Sequence, residues 1–349
     1  MNFKEIFSQR LKMARTIQGF SLRELAEKLE FSHNTIHKYE NGKSLPSSEG
    51  LIKLAQVLNQ PVDFFSRPIA VQLGKIEFRK KSTLGKTKIA QIHGEAEDYF
   101  ERYQFLEESL GIETQFVNPM KKFEINTIDD AETAALMLRN FWKLGCDSLA
   151  NVLELLESKC FKILLVDTDK KLDGFSGYRG SNPVIVLNKR YTTDRLRFTA
   201  LHEVGHLLLE IAPHFSKKEH EKICHRFAGA MLIPQEVFRT EFGGYRNRLT
   251  IKELVEIKEE YGISLAAIVS RAKDLELIPE FLCRRFWIKY NQWGWRKEEP
   301  GTFSVSETSN RFEQLLQRAA ATEMLSLSKC AALAKKTLAD FRREVEFIP

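Results

Sequence analysis

The chain has no run of about 18 apolar residues, the length a helix needs to cross a bilayer. Its first residues, MNFKEIFSQRLKMARTIQGF, are amphipathic and broken by charge, which is not the pattern of a signal peptide. A cytoplasmic protein is therefore expected. Cysteine is scarce. The five present (Cys146, Cys160, Cys224, Cys283, Cys330) are odd in number and include no CxxC pair, which excludes a disulfide framework and a cysteine-based zinc module. Internal repeats and low-complexity tracts are also missing. What is there is ordinary: 43% hydrophobic and 29% charged residues, enough to bury a core without crosslinks and too apolar for dominant disorder.

Charge of one sign is unevenly placed. Residues 1–90 hold 16 Lys/Arg against 8 Asp/Glu, whereas the rest of the chain holds 37 against 39. The whole positive excess sits in the first quarter, as expected when one domain meets phosphates and another does not. A length of 349 residues accommodates two or three domains. The expected division is a helical domain at 1–66, a basic linker with a long helix at 67–125, an α+β domain at 126–290 and a helical region at 291–349. The fold class is mainly α with a small β-sheet.

Within 1–66, Phe3, Ile6, Leu11 and Ile17 mark a first helix ending at Gly19. Ser21 with Glu24 three residues on reads as a capping box opening a helix from Leu22 to Leu29. A short turn leads to a helix from Ser32 to Tyr39, stopped by Glu40-Asn41-Gly42. A further helix covers Ser48 to Leu58. Downstream, the pattern predicts helices from Ile89 to Leu110, Ala131 to Leu138 and Leu149 to Ser158, and strands at Phe161–Val166 and Pro183–Asn188. Gly174, Gly177 and Gly180 read as turns. Two helices are expected between Asn310 and Glu344.

Two helices joined by a short turn, the second opening on small polar residues, is the layout of a DNA reader. Ser32, His33, Asn34, Thr35 and Lys38 are polar, while Ile36 and Tyr39 supply the inward face. Asn34 has the chemistry to pair with an adenine edge, and His33, Thr35 and Lys38 to reach bases or phosphates. Asn41, Lys43 and Ser44 follow the helix at positions suited to phosphate contacts. The stretch ARTIQGFSLRELAEKLEFSHNTIHKYENGKSLPSSEGLIKLAQVLN resembles the Cro/phage-repressor (XRE) helix-turn-helix family over residues 7–65. The resemblance implies double-stranded DNA as a partner, commonly with a dimer on a two-fold operator, and a structural ion pair that maps onto Arg15 and Glu40.

His202-Glu203-Val204-Gly205-His206 is an H-E-x-x-H motif. On a helix, residues four apart share a face, so both imidazoles can reach one cation, Zn2+ being expected. Glu203 stays near the metal without ligating it and is suited to take a proton from water and return it to a leaving amine. The flanking Phe198, Leu201, Val204, Leu207, Leu208 and Leu209 make this helix apolar, so its polar residues need partners. A third ligand is expected downstream, from His214, Glu219, His220, Glu221 or His225. The segment EKICHRFAGAMLIP is helical, and Cys224 and Ala228 follow Glu221 by one and two turns. A face so small can pack closely on the motif helix and bring Glu221 to the metal. RLRFTALHEVGHLLLE, ExxCHRFAGAMLIP, the strand PVIVLN and YGISLAAIVSRAKDLELI together resemble the ImmA/IrrE metallopeptidase family over about residues 160–280. That family carries a Glu six residues before the Phe of its FA pair, which maps onto Glu221. His225 stands where Asn is usual and leaves a second candidate ligand nearby. Arg197 and Tyr178 are candidate oxyanion partners, and Arg197 is expected to tie the motif helix to the strands.

The resemblances imply a transcriptional regulator carrying a zinc endopeptidase, with a helix-turn-helix repressor as the protein substrate class. The alternative is a DNA-binding repressor or antitoxin-like protein whose peptidase fold senses or scaffolds without turnover. A third reading is self-cleavage in the basic segment 67–90.

Overall fold

The computed structural model describes residues 2–67, 84–113, 115–169 and 171–345. The basic stretch Arg79-Lys80-Lys81, and with it most of the segment considered for self-cleavage, lies outside them. In chain order the elements are α1 (Phe3–Gln18), α2 (Leu22–Leu29), α3 (His33–Glu40), α4 (Ser48–Val57), a 3-10 turn (Val62–Ser66), α5 (Lys86–Ser109), β1 (Glu124–Ile125), α6 (Asp130–Trp142), α7 (Val152–Ser158), β2 (Lys162–Val166), β3 (Gly174–Arg179), β4 (Asn182–Asn188), α8 (Thr193–Leu208), β5 (Glu210–Ile211), α9 (Lys217–Leu232), α10 (Gln235–Phe242), α11 (Ile251–Tyr261), α12 (Leu265–Asp274), α13 (Glu280–Gln292), α14 (Arg311–Ala321), α15 (Leu327–Ala334) and α16 (Leu338–Glu344). The fold is mainly helical with small sheets. No helix among the described residues is long and apolar enough to cross a membrane. The chain divides into two compact units, one of residues 2–67, 84–113 and 310–345, the other of residues 115–309. The region 291–349 is thus shared: residues 291–309 belong to the larger unit and 310–345 to the smaller.

In the smaller unit the helix starts follow their capping signals. Ser21 accepts from the Glu24 N–H, and Glu24 accepts from the Ser21 N–H at 2.7 Å. Phe7, Leu11, Ala14, Leu25, Leu29, Ile36, Leu54, Phe64 and Phe65 form the first core, where full burial of each phenyl ring contributes about 1.5–3 kcal/mol. Phe3 is 50% exposed and stands outside it. A second core joins Tyr103 and Leu106 of α5 to Phe312, Leu315, Leu316, Cys330, Leu333 and Phe341.

Buried charges run between these cores. Arg10 is fully buried and forms a bidentate pair with Glu101, one arm at 2.7 Å. Its Nε donates to the Arg67 carbonyl at 2.9 Å. Asp98, also fully buried, meets Arg102 at 3.0 Å, Lys335 at 2.7 Å and Arg67 at 3.9 Å. The C-terminal helices therefore join the helix-turn-helix unit through α5, and they number three rather than two because Ser326 and Thr337 each cap a new start.

In the larger unit β2 runs parallel to β4, and β3 runs antiparallel to β4 on its other side, giving the order β2-β4-β3. β1 and β5 form a short parallel pair. The strand β3 replaces the turns expected at Gly174 and Gly177; only Gly180, at φ +59°, is a turn residue. Gly174 lacks a side chain for packing reasons. A Cβ there would stand 2.8 Å from the Val186 carbonyl oxygen and 3.2 Å from the Thr199 methyl of α8.

Candidate metal centre and nucleic-acid face

Three residues of β3 two apart face three residues of α8 four apart. Gly174 lies against Thr199, Ser176 bonds Glu203, and Tyr178 donates to the Leu207 carbonyl at 2.7 Å. The periods match because two strand residues rise about 6.6 Å and four helix residues about 6 Å. The Ser176 hydroxyl donates to Glu203 Oε2 at 2.6 Å, holding the carboxylate in one orientation. Ser176 was not legible as a site residue in a segment read as turns. The signal was there in the alternation Gly174-Ser176-Tyr178.

α8 crosses α9 at small residues. A Cβ on Gly205 would meet Phe227 at 3.2 Å and the Cys224 Cα and Cβ at 3.4 Å, so the backbones touch where the motif helix carries glycine. This crossing brings Glu221 beside both motif histidines. His202 Nε2 and His206 Nε2 are 3.0 Å apart, and the Glu221 carboxylate oxygens lie 3.4 Å from the first and 3.7 Å from the second. Donors about 2.0–2.1 Å from a tetrahedral zinc stand roughly 3.3 Å from one another, so this donor set fits a divalent cation. His202 and Glu203 are each only 8% exposed. Burial strengthens their interaction with a cation and makes an unpartnered carboxylate costly.

The remaining candidates fall elsewhere, with one exception. Glu219 turns back to the Ser216 N–H at 2.8 Å as part of the α9 capping box. His214 is exposed and lies against Phe215. His220 has no contact with the histidine pair among those described. His225 is the exception: its Nδ1 is 3.0 Å from His202 Nδ1, and His202, Glu221 and His225 offer donor atoms within 4.8 Å of one another. Of the two sets, that with His206 is favoured, because His202 presents Nε2 to His206 and Glu221 and only the opposite nitrogen to His225.

Arg197 does not reach the strands. It is fully buried and donates to the carbonyls of Leu149, Ala150 and Tyr261, pairs with Glu307 at 2.7 Å and lies over the Phe303 ring. Glu307 in turn accepts from the Val152 and Leu153 N–H groups at the start of α7. The α8 helix is thus anchored to the segment before α7 and to residues 303–307, because the carbonyls and the carboxylate within reach of the buried guanidinium come from those segments. Tyr178 is likewise occupied by the Leu207 carbonyl.

A Gly205→Val substitution should push α9 away from α8. We expect zinc uptake to be lost, with destabilisation of about 1–3 kcal/mol from overpacking, measured by metal content and thermal unfolding. Retained stoichiometric zinc in a folded variant would show that the close crossing is not what assembles the donor set.

On the smaller unit, α3 presents Ser32, His33, Asn34 and Lys38 to solvent while Ile36 is fully buried. Ser32 caps the helix through the Thr35 N–H and touches the Thr35 hydroxyl at 2.8 Å, so these two hydroxyls are shared with the cap. Asn41 donates its side-chain amide to the His37 carbonyl at 2.7 Å, and Lys43 is exposed. His37, exposed and stacked with His33 at 6.4 Å, belongs to the same face, and its spacing of four from His33 was the signal for it. The first turn of α3 carries no acidic residue, which leaves its positive helix end available to phosphate. Arg15 holds Glu40 by two bonds of 2.6 and 2.9 Å and donates to the Phe20 carbonyl, bracing α3 against α1.

Two segments of the chain are similar to known families. Residues 11–65 match the helix-turn-helix family, and residues 159–273 match the IrrE N-terminal-like domain. Among curated proteins, the chain is 35% identical over 74 residues to the HTH-type transcriptional regulator ImmR of Bacillus subtilis, covering 21% of this chain and 53% of that one. It is 37% identical over 59 residues to the SPbeta prophage-derived uncharacterized HTH-type transcriptional regulator YonR of the same organism, covering 17% and 55%. An uncharacterized HTH-type transcriptional regulator of Sinorhizobium medicae matches at 38% over 56 residues, covering 16% and 40%. The chain therefore spans about half the length of ImmR and YonR and less of the third.

Proposed function

We propose that this chain, in which an XRE-type helix-turn-helix is joined to an IrrE N-terminal-like domain, is a DNA-binding transcriptional regulator that is also a zinc-dependent endopeptidase. The observation that carries the peptidase reading is the convergence of His202 Nε2, His206 Nε2 and the Glu221 carboxylate beside a buried Glu203. His202, His206 and Glu221 would hold the metal. When bound, zinc supplies a Lewis acid that polarises a carbonyl and makes water acidic near neutral pH. Glu203, oriented by Ser176, takes up the proton that water releases and passes it to the departing amine nitrogen. β3 is an edge of its sheet among the described residues, which supports an extended peptide pairing alongside it. A helix-turn-helix repressor is the substrate class we favour.

The DNA reading rests on the exposed polar face of α3 above a buried Ile36, on the basic first quarter and on the relatives named as HTH-type regulators. Ser32, His33, Asn34, Thr35, Lys38, Asn41 and Lys43 would contact an operator in double-stranded DNA, as a homodimer if the operator is two-fold.

Metal content tests the centre. Elemental mass spectrometry on the wild type should give near-stoichiometric zinc, lost in both His202→Ala and Glu221→Ala. Zinc kept by Glu221→Ala would move the third ligand elsewhere, and a wild type that takes up none would leave the DNA-binding repressor.

A further inference from the structure

We infer that His225 is a positioning residue for the metal centre: it fixes the tautomer and ring orientation of His202. The inference rests on the metal-centre reading above. His202 Nδ1 and His225 Nδ1 are 3.0 Å apart, and the two rings lie 4.2 Å apart at a tilt of 38°. A nitrogen–nitrogen contact of that length needs one donor and one acceptor. A neutral imidazole that offers Nε2 to a cation carries its proton on Nδ1, so His202 donates and His225 accepts, with the His225 proton on Nε2. His225 is exposed, and its ring lies against that of Phe198, 5.7 Å between centroids.

The helix period supplies the arrangement. Glu221 and His225 are one turn apart on α9, so one helix face brings a carboxylate to the front of His202 and an acceptor to its back. Cys224, between them, places its sulfur 3.0 Å from His206 Nδ1, the matching contact on the second imidazole. Sulfur is a weak acceptor, so the orienting hydrogen bond of consequence is the one to His225. Because His225 meets the nitrogen of His202 that points away from His206 and Glu221, it acts through His202 and not as a ligand beside it.

The test is zinc affinity of the full chain, measured by competition with a chelator for the wild type, His225→Ala and His225→Asn. Nitrogen-15 imidazole spectra of the zinc-loaded chains report the His202 tautomer. We expect His225→Ala to weaken zinc binding about 10–100-fold, the range for loss of an outer partner of a metal histidine. His225→Asn, whose side-chain oxygen can accept from Nδ1–H, should restore most of the affinity and the Nδ1–H signature. Equal affinity in His225→Ala and wild type overturns the inference. So does complete zinc loss in both His225 variants alongside retention in His206→Ala, which would make His225 a ligand. A wild type that binds no zinc defeats the metal-centre reading first, and this inference with it.

Discussion

Replacing Glu203 with Gln is expected to remove peptidase turnover while leaving zinc content and DNA binding as in the wild type. Gln matches Glu in size, and its amide oxygen can still accept from Ser176, so the local packing at 8% exposure is kept. What is lost is a group able to take a proton and give it back, which typically contributes about 10²–10⁴-fold to the rate. The measurement is cleavage of a co-purified helix-turn-helix repressor by wild type and variant, followed on a gel. Each protein is also titrated with operator DNA at one fixed salt concentration, because phosphate contacts make affinity salt-dependent. Asn34→Ala should give the opposite pattern, with weakened operator binding and unchanged cleavage. If Glu203→Gln behaves as the wild type in every assay, the peptidase fold is a sensor or scaffold and the enzymatic reading is wrong.

Asp98→Asn should produce the largest loss of stability, about 3–5 kcal/mol, the usual consequence of removing one partner from a buried ion pair. The carboxylate is fully buried and faces Arg102, Lys335 and Arg67. Burial alone would push its carboxyl up; the Arg102, Lys335 and Arg67 charges, helped by the hydrogen bond from Lys335, outweigh that and hold it below its ordinary value. A lowered folded value means a contribution fully present above the unfolded pKa of about 3.9 and lost as the pH falls through the lower folded value. The gap between wild type and variant should therefore be constant near neutrality and close in acid below about pH 4. Urea unfolding at several pH values, read by a probe in the smaller unit, measures it. A gap that stays under about 1 kcal/mol near neutral pH would show that the three cations find other partners or water.

The helix-turn-helix was largely legible because its signals are local. Ser21 with Glu24 and the glycine after α1 act within a few residues, and those contacts appear where the sequence places them, while Ser32, read as the first residue of its helix, is the cap before it. The edge strand was not. Gly174 and Gly177 carry the usual marks of a turn, and only the close approach of β4 and α8 explains why glycine is required in an extended strand at 174. Phe3 was counted among the apolar markers of α1 by periodicity, yet it stands half exposed at the helix start, beyond the reach of the core.

The sequence by itself determined the spacing that puts His202 and His206 on one helix face, the small residues that let α9 approach, and the polar opening of α3 over Ile36. Helical periodicity and capping are properties of neighbours, so residues a turn apart are enough to specify them. Which of the downstream carboxylates and imidazoles lies beside the histidine pair was decided by the crossing of α8 on α9. Strand register decided that Ser176 orients Glu203, and the return of the chain decided that Glu307 receives Arg197 and Lys335 receives Asp98. These partners are 27, 110 and 237 residues apart in the chain. No local pattern links groups so distant. They meet because a buried charge or hydrogen-bonding group must find its complement among whatever surfaces the packed elements bring together.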